Sequence, residues 1–307
     1  MLIAFFGTPE FALPSLEALC ASGHRVVGVV SAPDKPTGRG MAVTAPPVAE
    51  LAKKLNLPLL QPEKLSDPEF LSQLRSWNAD AFAVVAFRIL PEEVFTLPRF
   101  GAINLHAALL PAYRGAAPIN WALWNGEKET GLTTFRIEKT VDTGNILKQV
   151  KVIIQGEDDA GSLSRRMAAA GAHLLVETLT ELEAGKLQPQ PQDHWRATPA
   201  PKITREHCLI DWTRTALQIH HQIRALSPEP AACTILQGQM LKIFRSAVDE
   251  SGLELGAGAI SIDDQSMIAG TGKGNLRILE LQLQGKKRME TRAFLRGFRL
   301  RGTFRIV

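Results

Sequence analysis

The first half of the chain alternates between continuous apolar runs and segments with helical periodicity. The runs predict buried strands, and the periodic segments predict helices that follow them. The predicted strands are 2–6, 25–31, 80–86 and 102–106, and the predicted helices are 11–21 and 46–55. Apolar strands separated by helices are typical of a sheet covered on both faces. We therefore predict an α/β fold with an open, doubly wound, mostly parallel sheet.

The composition changes after a long Ala/Leu-rich helix predicted over 162–184, which Gly185 can end. Residues 186–205 hold four prolines and many polar side chains, which is typical of an extended linker. One helix over 213–226 and a series of short strands with turn signals follow. These strands fit a small barrel or a small sandwich. The predicted organisation is a first domain at 1–187, a linker at 188–205 and a second domain at 206–307.

Composition excludes several classes of protein. Hydrophobic residues make up 45% of the chain and charged residues 21%, which excludes a disordered or collagen-like protein. The three cysteines, Cys20, Cys208 and Cys233, lie far apart and form neither a disulfide framework nor a zinc motif, so we expect no metal. No apolar stretch is long enough to cross a membrane, and no basic leader precedes the first strand. We expect a soluble cytoplasmic protein.

The positive charge is concentrated at the end of the chain. The net charge is +4, and residues 205–307 carry 4 Lys and 11 Arg against 10 acidic residues. A stripe of cations suits a polyphosphate partner such as RNA, but a solubilising surface explains the charge equally well. The stripe consists of Lys286, Lys287, Arg288, Arg292, Arg296, Arg299, Arg301 and Arg305.

The turn after the first strand has only part of a nucleotide-binding signature. Gly7, Thr8 and Pro9 stand where a dinucleotide-binding loop would begin, but its three spaced glycines are missing. A tight turn with Thr8 as a helix cap explains this segment. We expect neither NAD nor FAD.

The strand 102–106 carries the first candidate chemistry. Its periodicity places Asn104 and His106 on one face, at the end of the strand where open α/β sheets bind ligands. A hydrogen-bonded core histidine is an equally good explanation for the pair alone. A loop at 109–118 follows, and further on Asp142 lies in a turn, where it could instead cap backbone groups.

These segments together resemble a known family. The runs NLHAALLPAYRGAAPINWALWNGEKETGLTTF and VDTGNIL resemble the formyltransferases that use 10-formyltetrahydrofolate. Two further runs, FFGTPEFALPSLEALCASGHRVVGVVSAPDKPTGRG and APKITREHCLIDWTRTALQIHHQIRALSPEPAA, are similar to the branch of that family that formylates methionyl initiator tRNA. The resemblance covers the whole chain. It implies a Rossmann-like first domain and an OB-like β-barrel as the second domain.

The resemblance implies roles for individual residues in the first domain. Asn104, His106 and Asp142 match the catalytic trio of the family. The folate is implied as a cosubstrate that is released each turnover, so no permanently bound cofactor is expected. The positions implied to line its pocket are Phe87, Arg88, Ile89, Leu90, Pro91, Leu110, Pro111, Glu138, Thr140 and Val141.

The resemblance also implies the acceptor. Methionyl initiator tRNA would be the partner, and a monomer is expected. The positions implied to contact it are Arg39, Lys202, Lys286, Lys287 and Arg288.

Elementary chemistry supports the same trio. An amine that attacks a formyl carbon forms a tetrahedral intermediate with negative charge on oxygen, and donors aimed at that oxygen are usually the largest catalytic contribution. Asn104 and a protonated His106 can be those donors. Asp142 beside His106 would favour the imidazolium form and could accept the amine proton through water.

Three other functions compete with this one. A formyltransferase for an amino-sugar nucleotide shares the start of the chain and the Asn-x-His pair, but the basic tail argues against it. A glycinamide ribonucleotide formyltransferase or a formyl-folate hydrolase shares the trio but not the second domain. A non-catalytic RNA-binding module would not need an intact Asn104, His106 and Asp142.

Overall fold

The computed structural model describes residues 1–37 and 42–306, which form two compact units. The first unit consists of residues 1–116, 129–153 and 164–200, and the second of residues 117–128, 154–163 and 201–307. Arg39, implied above as a tRNA contact, lies outside the described residues.

The first unit is built on a sheet with helices beside it. Its strands are β1 (Leu2–Gly7), β2 (Arg25–Val30), β3 (Lys35–Thr37), β4 (Ala42–Thr44), β5 (Leu59–Leu60), β6 (Ala81–Val85), β7 (Ala102–His106), β8 (Glu129–Arg136) and β9 (Ile146–Ile153). Its helices are α1 (Leu13–Cys20), α2 (Pro47–Lys54), α3 (Pro68–Ser76), α4 (Glu92–Phe95) and most of α6 (Ala160–Glu183). Helix α5 (Pro118–Trp124) lies in the second unit.

The order of the strands shows where this sheet changes direction. The order is β5-β2-β1-β6-β7-β8-β9, with parallel pairing from β5 to β7 and antiparallel pairing of β8 with β7 and β9. The chain therefore builds outward from β1 in one direction and then returns to add β6 and β7 on the other side. Ligands of doubly wound sheets bind near such a switch point. The predicted fold class is confirmed for this unit.

The apolar runs pack as their sequence predicts. Side chains of β1, β6 and β7 join those of α3 in one core, in which Phe6 and Phe82 lie with ring centroids 4.9 Å apart. Helix α3 begins at Pro68, where a missing N–H costs nothing, and the Asp67 side chain caps it by accepting from the N–H of Glu69 at 2.9 Å. This packing holds β7, the strand that carries Asn104 and His106, in place within the sheet.

The second unit is a curled antiparallel sheet with helices. It contains α5, α7 (Arg205–Cys208), α8 (Ala216–Leu226), β10 (Ala232–Leu236), β11 (Gln239–Asp249), β12 (Ala259–Ile262), β13 (Met267–Gly270), β14 (Asn275–Leu283), β15 (Met289–Glu290), α9 (Thr291–Gly297) and β16 (Gly302–Arg305). The order is β10-β11-β14-β13-β12-β16, and β15 pairs with β14. A bridge between Leu236 and Ile306 joins the two ends of this order. The sheet therefore closes into a barrel rather than a sandwich.

The units do not follow continuous stretches of chain. Residues 117–128 join the second unit because α5 packs against α8, where the Asn120 amide donates to the Ala225 carbonyl at 2.6 Å. Residues 188–200 join the first unit, where Gln190 and Ile146 exchange two backbone hydrogen bonds of 2.8 Å. The domain limits placed at 187 and 206 stay predictions.

None of the helices formed by residues 1–37 and 42–306 is both long and apolar enough to cross a bilayer.

Candidate active site

Strand β7 places Asn104 and His106 on one face of the sheet. In the register of the sheet, Asn104 lies between Val84 of β6 and Phe135 of β8. His106 is 6% exposed, whereas Asn104 is more accessible. Within residues 1–37 and 42–306 the Asn104 amide has no hydrogen-bond partner. Its N–H groups are therefore available to a ligand.

The hydrogen bonds of His106 define its tautomer. Its Nε2 lies 2.8 Å from the carbonyl oxygen of Tyr113, which can only accept, so Nε2 carries a proton. The other ring nitrogen, Nδ1, lies 3.8 Å from Oδ2 of Asp142. Nδ1 is thus the nitrogen that can exchange a proton with a substrate or with water. The structure brings His106 and Asp142 together as the sequence suggested.

Asp142 lies in a tight turn between β8 and β9. Its φ is +54°, a left-handed conformation that aspartate tolerates better than most residues. Its Oδ2 accepts the N–H of Gly115 at 2.8 Å. Gly144 is required by close approach, since a Cβ there would lie 1.8 Å from the Arg136 carbonyl oxygen. The carboxylate contact with Gly115 and the small size of Gly144 therefore both help to hold the turn.

Gln192 makes further hydrogen bonds that hold this turn. The Gln192 amide donates from Nε2 to the carbonyls of Asp142 at 3.0 Å and Gly144 at 2.8 Å. Its Oε1 accepts from Nε and Nη2 of Arg114 at 3.2 and 2.5 Å. The sequence did not single out Gln192, because a glutamine between Pro191 and Asp193 carries no pattern that connects it to a turn 50 residues away.

The loop 113–115 is held by the segment 198–200. The N–H of Arg114 donates to the Thr198 carbonyl at 2.8 Å, and the N–H of Ala200 donates to the Arg114 carbonyl at 2.6 Å. Gly115 has φ +124°, and a Cβ there would lie 2.6 Å from the Ala200 carbonyl oxygen. Because this loop contacts both His106 and Asp142, the segment predicted as a linker supports the candidate site.

The Leu110–Pro111 segment is tied to strand β8. The Thr133 hydroxyl accepts the N–H of Leu110 at 3.1 Å, and the Gln149 amide donates to the Leu110 carbonyl at 2.9 Å. Thr133 is the partner of His106 in the β7–β8 register. The structure therefore places Leu110 next to His106 through one shared neighbour, whereas Pro111 is partly exposed.

The loop 87–91 leaves β6, the strand that pairs with β7. Phe87 packs edge-on against Phe6, with 5.5 Å between ring centroids, and Leu90 is buried. Ile89 is 73% exposed and Pro91 is partly buried, so the loop offers an apolar surface beside the sheet.

The Arg88 guanidinium lies over the Phe87 ring, with 5.4 Å between Cζ and the ring centroid. Its Nη1 and Nη2 donate to the backbone carbonyls of Glu63 and Pro62 at 2.9 and 2.7 Å, and its buried Nε has no partner in the described part of the chain. Burial lowers the pKa of this guanidinium. In this structure its strong donors bind the loop at 62–63.

The loop 138–141 contains the remaining folate candidates, and it belongs to the same turn as Asp142. The Thr143 hydroxyl donates to the Thr140 carbonyl at 2.9 Å, and a Cβ on Gly144 would meet Glu138 Cγ at 3.3 Å. Glu138 and Thr140 are exposed, and Val141 is 46% exposed. These side chains are thus accessible at the rim of the turn.

The candidate tRNA contacts that the structure describes all lie in the second unit. Lys202, Lys286 and Lys287 are exposed, and no ion pair with them is found among the described residues. Arg288 instead forms a bidentate pair with Glu280 at 2.8 and 2.7 Å, which raises its pKa, and lies 4.2 Å from the centre of the Phe244 ring. The three lysines are therefore freer than Arg288 to contact a phosphate.

No cluster of three or more His, Cys, Asp or Glu side chains suited to a metal occurs in the part of the chain that the structure describes.

Comparison with known proteins connects this site to a family. The family model described as "Formyl transferase" matches residues 1–179, and the one described as "Formyl transferase, C-terminal domain" matches residues 202–299. The chain is 46% identical to the methionyl-tRNA formyltransferase of Pelotomaculum thermopropionicum, with 97% of this chain and 96% of that protein covered. It is also 46% identical to that of Caldanaerobacter subterraneus, with 97% of each covered.

Solved structures share the fold. The methionyl-tRNA formyltransferase of Clostridium thermocellum matches with a TM-score of 0.57 and 16% identity, covering 82% of this chain and 95% of that chain. WlaRD, described as a sugar 3N-formyl transferase and solved in the presence of dTDP and 5-N-formyl-THF, matches with a TM-score of 0.69 and 19% identity, covering 94% and 99%. The identity near 45% to methionyl-tRNA formyltransferases over almost the full chain distinguishes the tRNA enzyme from the sugar formyl transferase. The chain belongs to the formyl transferase family and, within it, to the methionyl-tRNA formyltransferases.

Proposed function

We propose that this enzyme transfers the formyl group of 10-formyltetrahydrofolate to the α-amino group of methionyl initiator tRNA, acting as a monomer. The products are formylmethionyl-tRNA and tetrahydrofolate. The observation that carries the proposal is the meeting of His106 and Asp142 at 3.8 Å beside an accessible Asn104, in a chain of this family. The exposed cations of the second unit fit an RNA acceptor.

The reaction begins with attack of the neutral amine on the formyl carbon. The carbonyl becomes a tetrahedral oxyanion, which the Asn104 amide and protonated Nδ1 of His106 stabilise by donating hydrogen bonds. Nδ1 takes this role because Nε2 already donates to the Tyr113 carbonyl. Collapse of the intermediate breaks the bond between the formyl carbon and N10 of the folate, and N10 leaves with the proton that the amine gave up.

Asp142 stabilises the positive charge on His106 and accepts the proton of the amine. Its carboxylate faces Nδ1 of His106 and stabilises the imidazolium form. The amine loses one proton on becoming an amide, and Asp142 accepts it through a water molecule. The N–H of Gly115 holds Oδ2 in place while this occurs.

The folate is proposed to lie against the apolar loop 87–91 and the turn 138–141. Ile89 and the partly exposed Phe87 present the apolar surface, and the buried Leu90 supports it. The partly exposed Pro111 and the buried Leu110 before it are proposed to border the folate. The exposed backbone and side chains of Glu138, Thr140 and Val141 supply polar and apolar contacts at the rim. Arg88 supports the loop through its bonds to residues 62–63.

An acceptor panel tests this function. Formyl transfer from 10-formyltetrahydrofolate is measured with methionyl initiator tRNA, uncharged tRNA, methionyl elongator tRNA and a mixture of UDP- and dTDP-amino-sugars. We expect transfer to the charged initiator tRNA. Transfer to the amino-sugars alone would contradict the proposed acceptor and leave the donor and the trio intact.

A further inference from the structure

Gln192 uses its complete hydrogen-bonding capacity at the candidate site. The side chain is 6% exposed. Its two N–H groups meet the carbonyls of Asp142 and Gly144, and its oxygen accepts twice from Arg114. A primary amide has two donors and two lone pairs, so no capacity is left over. Such a side chain joins the parts of a structure that it contacts.

The parts joined by Gln192 are the two that hold the Asp142 carboxylate. One is the turn that carries Asp142 itself. The other is the loop 113–115, in which Gly115 donates to the carboxylate and the Tyr113 carbonyl fixes the His106 ring. We propose that Gln192 is a positioning residue, which sets the distance between the Asp142 carboxylate and Nδ1 of His106. This inference rests on the proposed function.

The conformation of Asp142 makes such support necessary. With φ at +54° it lies outside any regular strand or helix, so its own backbone hydrogen bonds do not maintain it. The two bonds from Gln192 bracket the turn at residues 142 and 144. Without them two carbonyls would lose their donors, and the carboxylate would be free to move away from His106.

Two substitutions distinguish the role of the Gln192 N–H groups from that of its oxygen. Gln192→Met keeps a similar volume but removes every hydrogen bond. Gln192→Glu still accepts from Arg114 but has no N–H for the carbonyls of the turn and sets a negative oxygen against them. Gln190→Ala is the matched control, because Gln190 lies in the same segment with an exposed side chain and bonds through its backbone.

The experiment measures kcat and both KM values for formyl transfer to methionyl initiator tRNA, with melting temperature as a check on folding. We expect kcat to fall by about 10- to 100-fold in Gln192→Met and Gln192→Glu, since small misplacements of a reacting group have effects of that size. KM for the folate and for tRNA should change by less than about threefold, and Gln190→Ala should match the wild type.

Two outcomes would overturn the positioning role. One is a Gln192→Glu enzyme with wild-type kcat, which would show that only the contact with Arg114 matters. The other is a loss confined to KM. A wild-type enzyme that does not formylate methionyl-tRNA at all would instead contradict the proposed function.

A separate observation concerns Trp195, whose side chain is 99% exposed. The segment that carries it is ordered by hydrogen bonds: the Asp193 carboxylate accepts the N–H of Trp195 at 3.1 Å, and Nδ1 of His194 accepts from Arg114 at 3.0 Å. Trp195 is the third residue after Gln192, so the two Cα atoms lie within about 11 Å of each other. An indole is thus presented to solvent close to the Asp142 turn.

We infer that Trp195 stacks on the base of the 3′-terminal nucleotide of the acceptor. The methionyl α-amino group must reach Asp142, and an ester joins methionine to that nucleotide, so its base comes to lie near the site. Bases of single-stranded RNA ends stack on exposed aromatic rings. Arg196, the residue after the indole, is exposed and suits the adjoining phosphate. This inference also rests on the proposed acceptor.

The test compares Trp195→Ala with Trp195→Phe, using methionyl-tRNA and the methionyl ester of adenosine as acceptors. We expect Trp195→Ala to raise KM by about tenfold for both acceptors, Trp195→Phe to restore most of the loss, and KM for the folate to stay unchanged. An unchanged KM for both acceptors would overturn the inference. So would an increase for intact tRNA alone, because the terminal base is present in both. If the wild-type enzyme formylates neither acceptor, the proposed function has failed instead.

Discussion

At the scale of single residues, the account depends on which donors face the developing oxyanion. The Asn104 amide has no partner among residues 1–37 and 42–306, so its N–H groups can be given to the substrate. Asn104→Ala is expected to lower kcat by about 100- to 1000-fold with little change in KM, because the donor acts mainly in the transition state. Asn104→Asp should lose at least as much, since it places negative charge where the oxyanion forms. Steady-state kinetics measure both.

A control for residue-scale effects is His173→Ala. His173 is an exposed histidine on α6 in the same unit as the trio. It should retain wild-type kinetics. An Asn104→Ala enzyme as active as this control would contradict the role of the amide.

The sequence predicted the reactive side chains but not what holds them. Asn104 and His106 could be placed on one face because strand periodicity is local. Asp142 required the resemblance to a family, since an aspartate in a turn has a simple structural explanation. The bond from His106 to the Tyr113 carbonyl depends on how the loop after β7 folds back, which strand periodicity does not describe. The bonds of Gln192 form only when segments about 50 residues apart meet.

At the scale of elements, the turn between β8 and β9 is the most constrained part of the site. In Gly144→Ala the new Cβ would lie 1.8 Å from the Arg136 carbonyl oxygen, so the turn must shift. We expect at least a tenfold loss of kcat and a lower melting temperature. Gly23→Ala, where a Cβ meets nothing within 4 Å, is the matched control and should change neither. Normal activity in Gly144→Ala would show that the turn need not be held in this position.

Helix α8 gives a second prediction at this scale, concerning pH. Burial lowers the pKa of His220 to about 4, and its Nδ1 lies 3.0 Å from the Ser246 hydroxyl of β11. The unfolded chain binds the proton near pH 6.5, whereas the folded protein resists it until about pH 4. Lowering the pH through this window therefore destabilises the fold, because the unfolded chain binds a proton at His220 and the folded protein does not.

Thermal melting checks this sign. The melting temperature should decrease from pH 6.5 to pH 4. His220→Gln, which has no titrating ring, should show a smaller decrease over the same range. If the two proteins lose stability in parallel, the buried histidine is not responsible.

Most elements of the first sheet were predictable, and the barrel was not. The buried strands β1, β2, β6 and β7 are short apolar runs, and their positions agree with the prediction within one or two residues. In the second unit the sequence indicated short strands mainly through the turn signals between them. The choice of a barrel depends on the pairing of Leu236 with Ile306, two residues far apart in the sequence.

At the scale of the whole molecule, the basic second unit should make tRNA binding depend on salt. Each phosphate contact that is lost reduces the slope of log K against log salt by about 0.7 to 0.9. We expect a lower slope for the double variant Lys286→Gln, Lys287→Gln. The double variant Lys54→Gln, Lys64→Gln removes the same charge from exposed sites of the first unit and should keep the wild-type slope. Equal slopes for both variants would leave no specific role for the two lysines.

The most direct test of the central claim is the single-turnover rate of formyl transfer in Asp142→Asn, with the folate and methionyl initiator tRNA both saturating. The amide oxygen can still accept the N–H of Gly115, so the turn is kept, but the charge beside His106 and the proton acceptor are lost. We predict a rate at least about 100-fold below that of the wild type, with both substrates still bound. A variant that transfers formyl groups at the full rate would contradict the account.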